Sequence, residues 1–107
     1  YYYFRDIGDR VLIGGGRNLA IAEEQTHSFG INETIEQALI NKLTNEILCQ
    51  QPFTIDMKWS GIMCFGATKN PLLVSKGNNI FGGFKLGGMG VALGTQLAHD
   101  LAATIHL

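Results

Sequence analysis

Ile35, Leu39, Leu43 and Ile47 recur at every fourth residue, with Ala38, Ile40 and Leu48 alongside. A stripe at that spacing stays on one face of an α-helix and fits no strand, where side chains alternate. Asn32 stands where a helix can be capped, and Glu33 and Glu36 face the positive end of its dipole. Pro52 stops it. The spacing therefore predicts one amphipathic helix over residues 33–50, and its apolar stripe must lie on something.

The flanks supply β-prone words. YYYFRDI and RVLIGG surround Gly8-Asp9, a turn signal, so residues 1–16 are expected to form a hairpin. Gly14, Gly15 and Gly16 end or bend its second strand. Residues 17–30 lack a period and read as loop, with Glu23 and Glu24 at a solvated corner. After the helix, Phe53 to Trp59 alternates apolar and polar and predicts a strand, with Trp59 in the core. Residues 61–71 form a loop, Pro71 to Val74 a short strand, and residues 76–79 a turn. Ile80 to Phe84 reads as a strand weakened by two glycines. From about Gly90 a second helix places Val91, Leu93, Leu97, Leu101 and Ile105 on a broad apolar face. The expected order is β-β-α-β-β-β-α: an α+β chain with an antiparallel-rich sheet and two main helices.

Charged residues make up only 16% of the chain and hydrophobic ones 46%. Free-standing domains carry about 25% charged residues, so part of this surface is expected to be covered. A net charge of −1 gives no footprint for nucleic acid. No apolar run has the length of a membrane span. Cys49 and Cys64 have no CxxC spacing and read as reduced, buried thiols. His27, His99 and His106 lack metal-ligand spacing, so no metal is expected. Ser60 has no nucleophile-elbow context. The first residue is Tyr1, not Met, which raises the expectation of a processed or excised piece.

The segment FKLGGMGVALG, residues 84–94, concentrates glycine where a strand passes into a helix. A dinucleotide fingerprint requires G-x-G-x-x-G after a strand; here Gly88 and Gly90 are followed by Gly94, one residue late. No P-loop lysine follows. Gly90 and Gly94 are expected to let the helix pack closely on a sheet. Gly87 and Gly88 precede the helix and leave amide N–H groups bare at its N-terminus, where an anionic or carbonyl oxygen is favoured.

Four words occur in order: Tyr3-Phe4-Arg5, Asp9 to Gly16 (DRVLIGGG), Trp59-Ser60-Gly61-Ile62-Met63, and Leu86 to Gly94 (LGGMGVALG). Together with a final helix bearing Leu101-Ala102, they resemble the C-terminal portion of FAD-dependent oxidoreductases of the D-amino-acid oxidase and glycine oxidase superfamily. The resemblance implies that residues 1–75 belong to a substrate domain and residues 76–107 to the FAD-binding domain. The N-terminal Rossmann half of such an enzyme is absent from this sequence and would be its partner. It further implies a parent that oxidises a small amine or amino acid by hydride transfer to FAD, in the bacterial cytosol. Gly87, Gly88, Met89, Gly90 and Val91 would meet the edge of the flavin ring. Gly61, Ile62 and Met63 would approach flavin and substrate. Family members often place an arginine shortly after the WxG word to clamp a substrate carboxylate. Met63 and Cys64 stand there instead, so either another cation (Arg5, Arg17, Lys69 or Lys85) holds the carboxylate or the substrate is not a simple amino acid. Catalytic residues are not identified.

The alternative is a non-catalytic α+β module that binds a protein partner or itself. Self-association is expected under either reading, because the final helix and the edge of strand 80–84 want cover.

Overall fold

The computed structural model describes residues 1–105; His106 lies outside the described residues. The chain is mixed α+β, with two helices and two small antiparallel sheets. It divides into two compact units, Tyr1–Ile62 and Met63–Leu107.

In the first unit, β1 (Tyr2–Ile7) pairs antiparallel with β2 (Arg10–Gly15), from Tyr2 opposite Gly15 to Ile7 opposite Arg10. The Gly8-Asp9 turn joins them as expected, with Gly8 at φ 65°. Gly16 follows at φ 81°, and its N–H donates to the Tyr1 carbonyl at 2.8 Å. A 3₁₀ turn, Arg17–Leu19, leads to Ala20, the one buried hydrophobic residue among those described.

Helix α1 runs Glu33–Lys42. Asn32 caps it: Oδ1 accepts from the Thr34 and Ile35 N–H groups at 3.0 and 3.2 Å. The helix packs against β2, with Ile35 beside Gly16. It does not continue unchanged to residue 50. Leu43–Ile47 is a π-helical turn. The cause is local: the Thr44 hydroxyl donates to the Ile40 carbonyl at 2.9 Å, competing with the backbone for that acceptor. The Leu48 N–H then reaches back to the Leu43 carbonyl. Cys49 and Gln50, both at positive φ, turn the chain out of the helix.

Residues 53–59 form no strand. Their alternation is real, but no neighbouring strand offers a ladder, and backbone pairing rather than pattern makes a strand. Trp59 is 67% exposed, not core. This segment is held to the rest of its unit by charge instead. Asp56 pairs with Arg10 at 2.6 Å and Lys58 with Glu36 at 2.8 Å.

In the second unit, β3 (Leu72–Ser75) pairs antiparallel with β4 (Phe81–Phe84). The two compact units divide at 62/63. Helix α2, Gly90–Thr104, packs on β4. Close approach comes from Gly83, not from the helix glycines: a Cβ on Gly83 would lie 2.9 Å from the Leu97 side chain. Gly94 has nothing near its missing side chain, and Gly90 meets only Leu86 at ordinary contact distance. Cys49 and Cys64 are free and exposed rather than buried, because each sits in a loop with no layer above it.

Candidate functional site

The turn between β4 and α2 is built from residues that ordinary side chains would resist. Lys85, Gly87 and Gly88 have φ of 61°, 56° and 82°, all in the left-handed region. Glycine tolerates that region without penalty, which explains Gly87 and Gly88. The Met89 N–H closes the turn on the Leu86 carbonyl at 2.8 Å. Met89 is also the N-cap of α2, and no side chain caps the helix. The first helical bond is Leu93 N–H to Met89 carbonyl. The N–H groups of Gly90, Val91 and Ala92 therefore have no acceptor among the described residues. Val91 is fully exposed.

One wall of this turn comes from far back in the chain. A Cβ on Gly88 would lie 3.1 Å from the Met63 terminal methyl, and one on Gly87 would lie 3.7 Å from the Phe65 ring. Lys85 ties the same two segments together. Its stem crosses Gly66, where a Cβ would come within 2.6 Å of the Lys85 Cδ. Its ammonium donates to Thr68 Oγ1 at 3.0 Å. Residues 63–68 thus lie along residues 85–88. The result is a small site with an apolar side, unpaired amide donors and one lysine fixed beside it. It can accept a flat group with a polar, electron-rich edge.

Met63 and residues 87–91 therefore share one unit. Gly61 and Ile62 close the other, and nothing lies near the missing side chain of Gly61. Among the candidate cations, Lys85 flanks the turn and Lys69 is exposed in the same unit. Arg5 lies in β1 opposite Leu12, and Arg17 opens the 3₁₀ turn. Sequence reasoning missed Phe65, Gly66 and Thr68. Their only signal was a run of small residues in a loop, CFGAT, which carries no period to read.

A separate hollow of about 460 Å³ lies in the first unit, lined by Tyr2, Phe4, Lys42, Glu46 and Ile47. Its charges satisfy each other: Lys42 Nζ is 2.6 Å from Glu46 Oε2 and 4.9 Å from the Tyr2 ring centroid. It offers a ligand no unpaired charge. Among the described residues, no group of His, Cys, Asp or Glu side chains could hold a metal ion. No helix there is long and apolar enough to cross a membrane.

The chain matches no family model, no curated protein and no solved structure.

Proposed function

We propose that the chain is the C-terminal part of a cytoplasmic flavin-dependent oxidoreductase whose parent oxidises a small amine or amino acid. One observation carries the reading. The last residue of one word that resembles the D-amino-acid oxidase superfamily shares a unit with a second such word, far from it in sequence. Met63 of the WSGIM word lies against Gly88 of the LGGMG word, next to unpaired amides at a helix start.

The residues present fit the ring edge of FAD and not its tail. Gly87 and Gly88 carry no side chain to obstruct a planar group. The Gly90, Val91 and Ala92 N–H groups are free to donate to its oxygens, and the positive end of α2 favours negative charge there. Met63 supplies an apolar contact. For the pyrophosphate and adenosine, the chain has no glycine fingerprint after a strand. FAD, when bound, supplies the hydride acceptor. The chain's own contribution is to orient the ring edge and to favour charge on it. Lys85, held by Thr68 beside the turn, is the best-placed cation for a substrate carboxylate.

The test is a titration of the chain with an isoalloxazine that lacks the adenosine diphosphate tail, followed by amide NMR. Shifts confined to Gly87, Gly88, Gly90, Val91 and Ala92, and weakened by Gly88→Val, support the reading. No shift up to the solubility limit, or shifts centred on the first unit, would reject it.

A second reading rests on exposed surface. The chain exposes 8733 Å². Two separately closed units of these sizes would expose about 7,000 Å² between them. Such an excess suits a non-catalytic module that covers itself with another protein.

A further inference from the structure

The bareness of Gly87 and Gly88 has a direction. A flat group that profits from it lies where a side chain would project from either residue. The chain itself already fills that place. A Cβ on Gly87 would lie 3.7 and 3.9 Å from two atoms of the Phe65 ring, and one on Gly88 would lie 3.1 Å from the Met63 terminal methyl. Met63 brings the end of an unbranched chain, which swings aside at little cost. Phe65 brings a rigid aromatic ring of its own, and a second ring cannot share the spot with it.

Three features hold the Phe65 ring there. Lys85 sits at φ 61°, a left-handed conformation that L-residues adopt only under strain. Its stem crosses Gly66, the residue after Phe65, so closely that a Cβ there would lie 2.6 Å from the Lys85 Cδ. Its ammonium ends on Thr68 Oγ1 at 3.0 Å. Strained lysine, bare Gly66 and Thr68 together strap residues 63–68 beside the turn. The strap is made of side chains alone. Among the described residues, residues 66–70 make no backbone–backbone hydrogen bond, and the bond from Lys85 to Thr68 is exposed. Phe65 remains 47% exposed and Met63 53%. A segment held so lightly opens for much less than the stability of the whole unit.

We propose that Phe65 is an internal plug of the glycine turn, strapped by Lys85 and Thr68, and that a planar ring binds only by displacing it. The inference rests on the ring-edge reading of this turn. The two rings compete for one place, so the apparent affinity for the external ring is scaled by the fraction of chains in which Phe65 is lifted. Loosening the plug therefore tightens binding. Losing a supporting wall would do the opposite, and this difference in sign separates the two roles.

The probe is lumiflavin, an isoalloxazine without the adenosine diphosphate tail, titrated into the chain and followed by NMR. Phe65→Ala should bind it about 5-fold more tightly than wild type, because a half-buried aromatic side chain no longer has to leave. Thr68→Val keeps the shape of Thr68 but loses the acceptor, and should bind about 3-fold more tightly. Thr68→Ser should return to the wild-type value. Thr68→Val leaves Phe65 in place, so it tests the plug even if Phe65→Ala loosens the unit. In wild type, Overhauser contacts between the Phe65 ring and the Gly87 α protons should be present in the free chain and fade as the titration saturates. Equal or weaker binding by both Phe65→Ala and Thr68→Val, with shifts still centred on the turn, would overturn the plug and leave the ring-edge reading standing. Overhauser contacts that persist at saturation would do the same. No binding by wild type or by any variant would overturn both.

Discussion

Gly88→Ala separates two reasons for glycine at the candidate site. The backbone sits at φ 82°, and the new methyl group would lie 3.1 Å from the Met63 terminal methyl. The first reason costs about 1–2 kcal/mol, the penalty for an L-residue held in the left-handed region. The second is small, because the obstructing atom ends a flexible, unbranched side chain that can swing aside. Backbone strain therefore dominates, and Met63→Ala should rescue little of the loss. The assay is amide hydrogen exchange in α2, Leu93 to Leu101, measured for wild type, both single variants and the double. Protection in the Gly88→Ala chain should fall by a factor of about 5–30. The coupling between the two substitutions should stay below about 0.5 kcal/mol. Full recovery in the double variant would show that crowding by Met63, not the turn conformation, demands glycine. No loss at all would show that the left-handed turn is not populated in solution. If the proposed flavin reading holds, the same argument bears on Gly88→Val. A β-branched residue is still worse at positive φ, so lost activity would have to be read beside lost stability.

Asn32→Ala removes the acceptor of two N–H groups at the start of α1. It should cost about 1 kcal/mol, seen as a lower midpoint in urea with an unchanged slope. Lys85→Met keeps the stem over Gly66 but loses the bond to Thr68. It should cost no more than about 1 kcal/mol while raising exchange at residues 66–68. The Arg10–Asp56 pair is exposed on both sides. Asp56→Asn should therefore cost less than about 1 kcal/mol, and the difference should vanish in 1 M salt. Gly15→Ala should open the end of the hairpin, since its Cβ would collide with the Tyr1 carbonyl, which is backbone and cannot swing away.

What the sequence determined by itself was local. The hairpin at Gly8-Asp9, the cap at Asn32, the start of α1, the two short strands and the start of α2 at Gly90 follow from turn chemistry, capping and period, which need no distant partner. The tertiary structure decided whatever depended on a neighbour. FTIDMKW alternates like a strand but finds no ladder, so it stays irregular and leaves Trp59 exposed. The helix that the apolar period carries to residue 50 shifts into a π turn at Leu43, because one hydroxyl competes for one carbonyl. The glycine that lets α2 approach the sheet is Gly83 in the strand; no helical spacing points to it, since the demand comes from where Leu97 lands. At the candidate site the glycine turn was legible, because bare backbone at a helix start is a local signal. Its wall of Met63 and Phe65 and its strap from Lys85 to Thr68 were not. Those contacts join segments about twenty residues apart, and only the folded chain sets which loop lies along which turn.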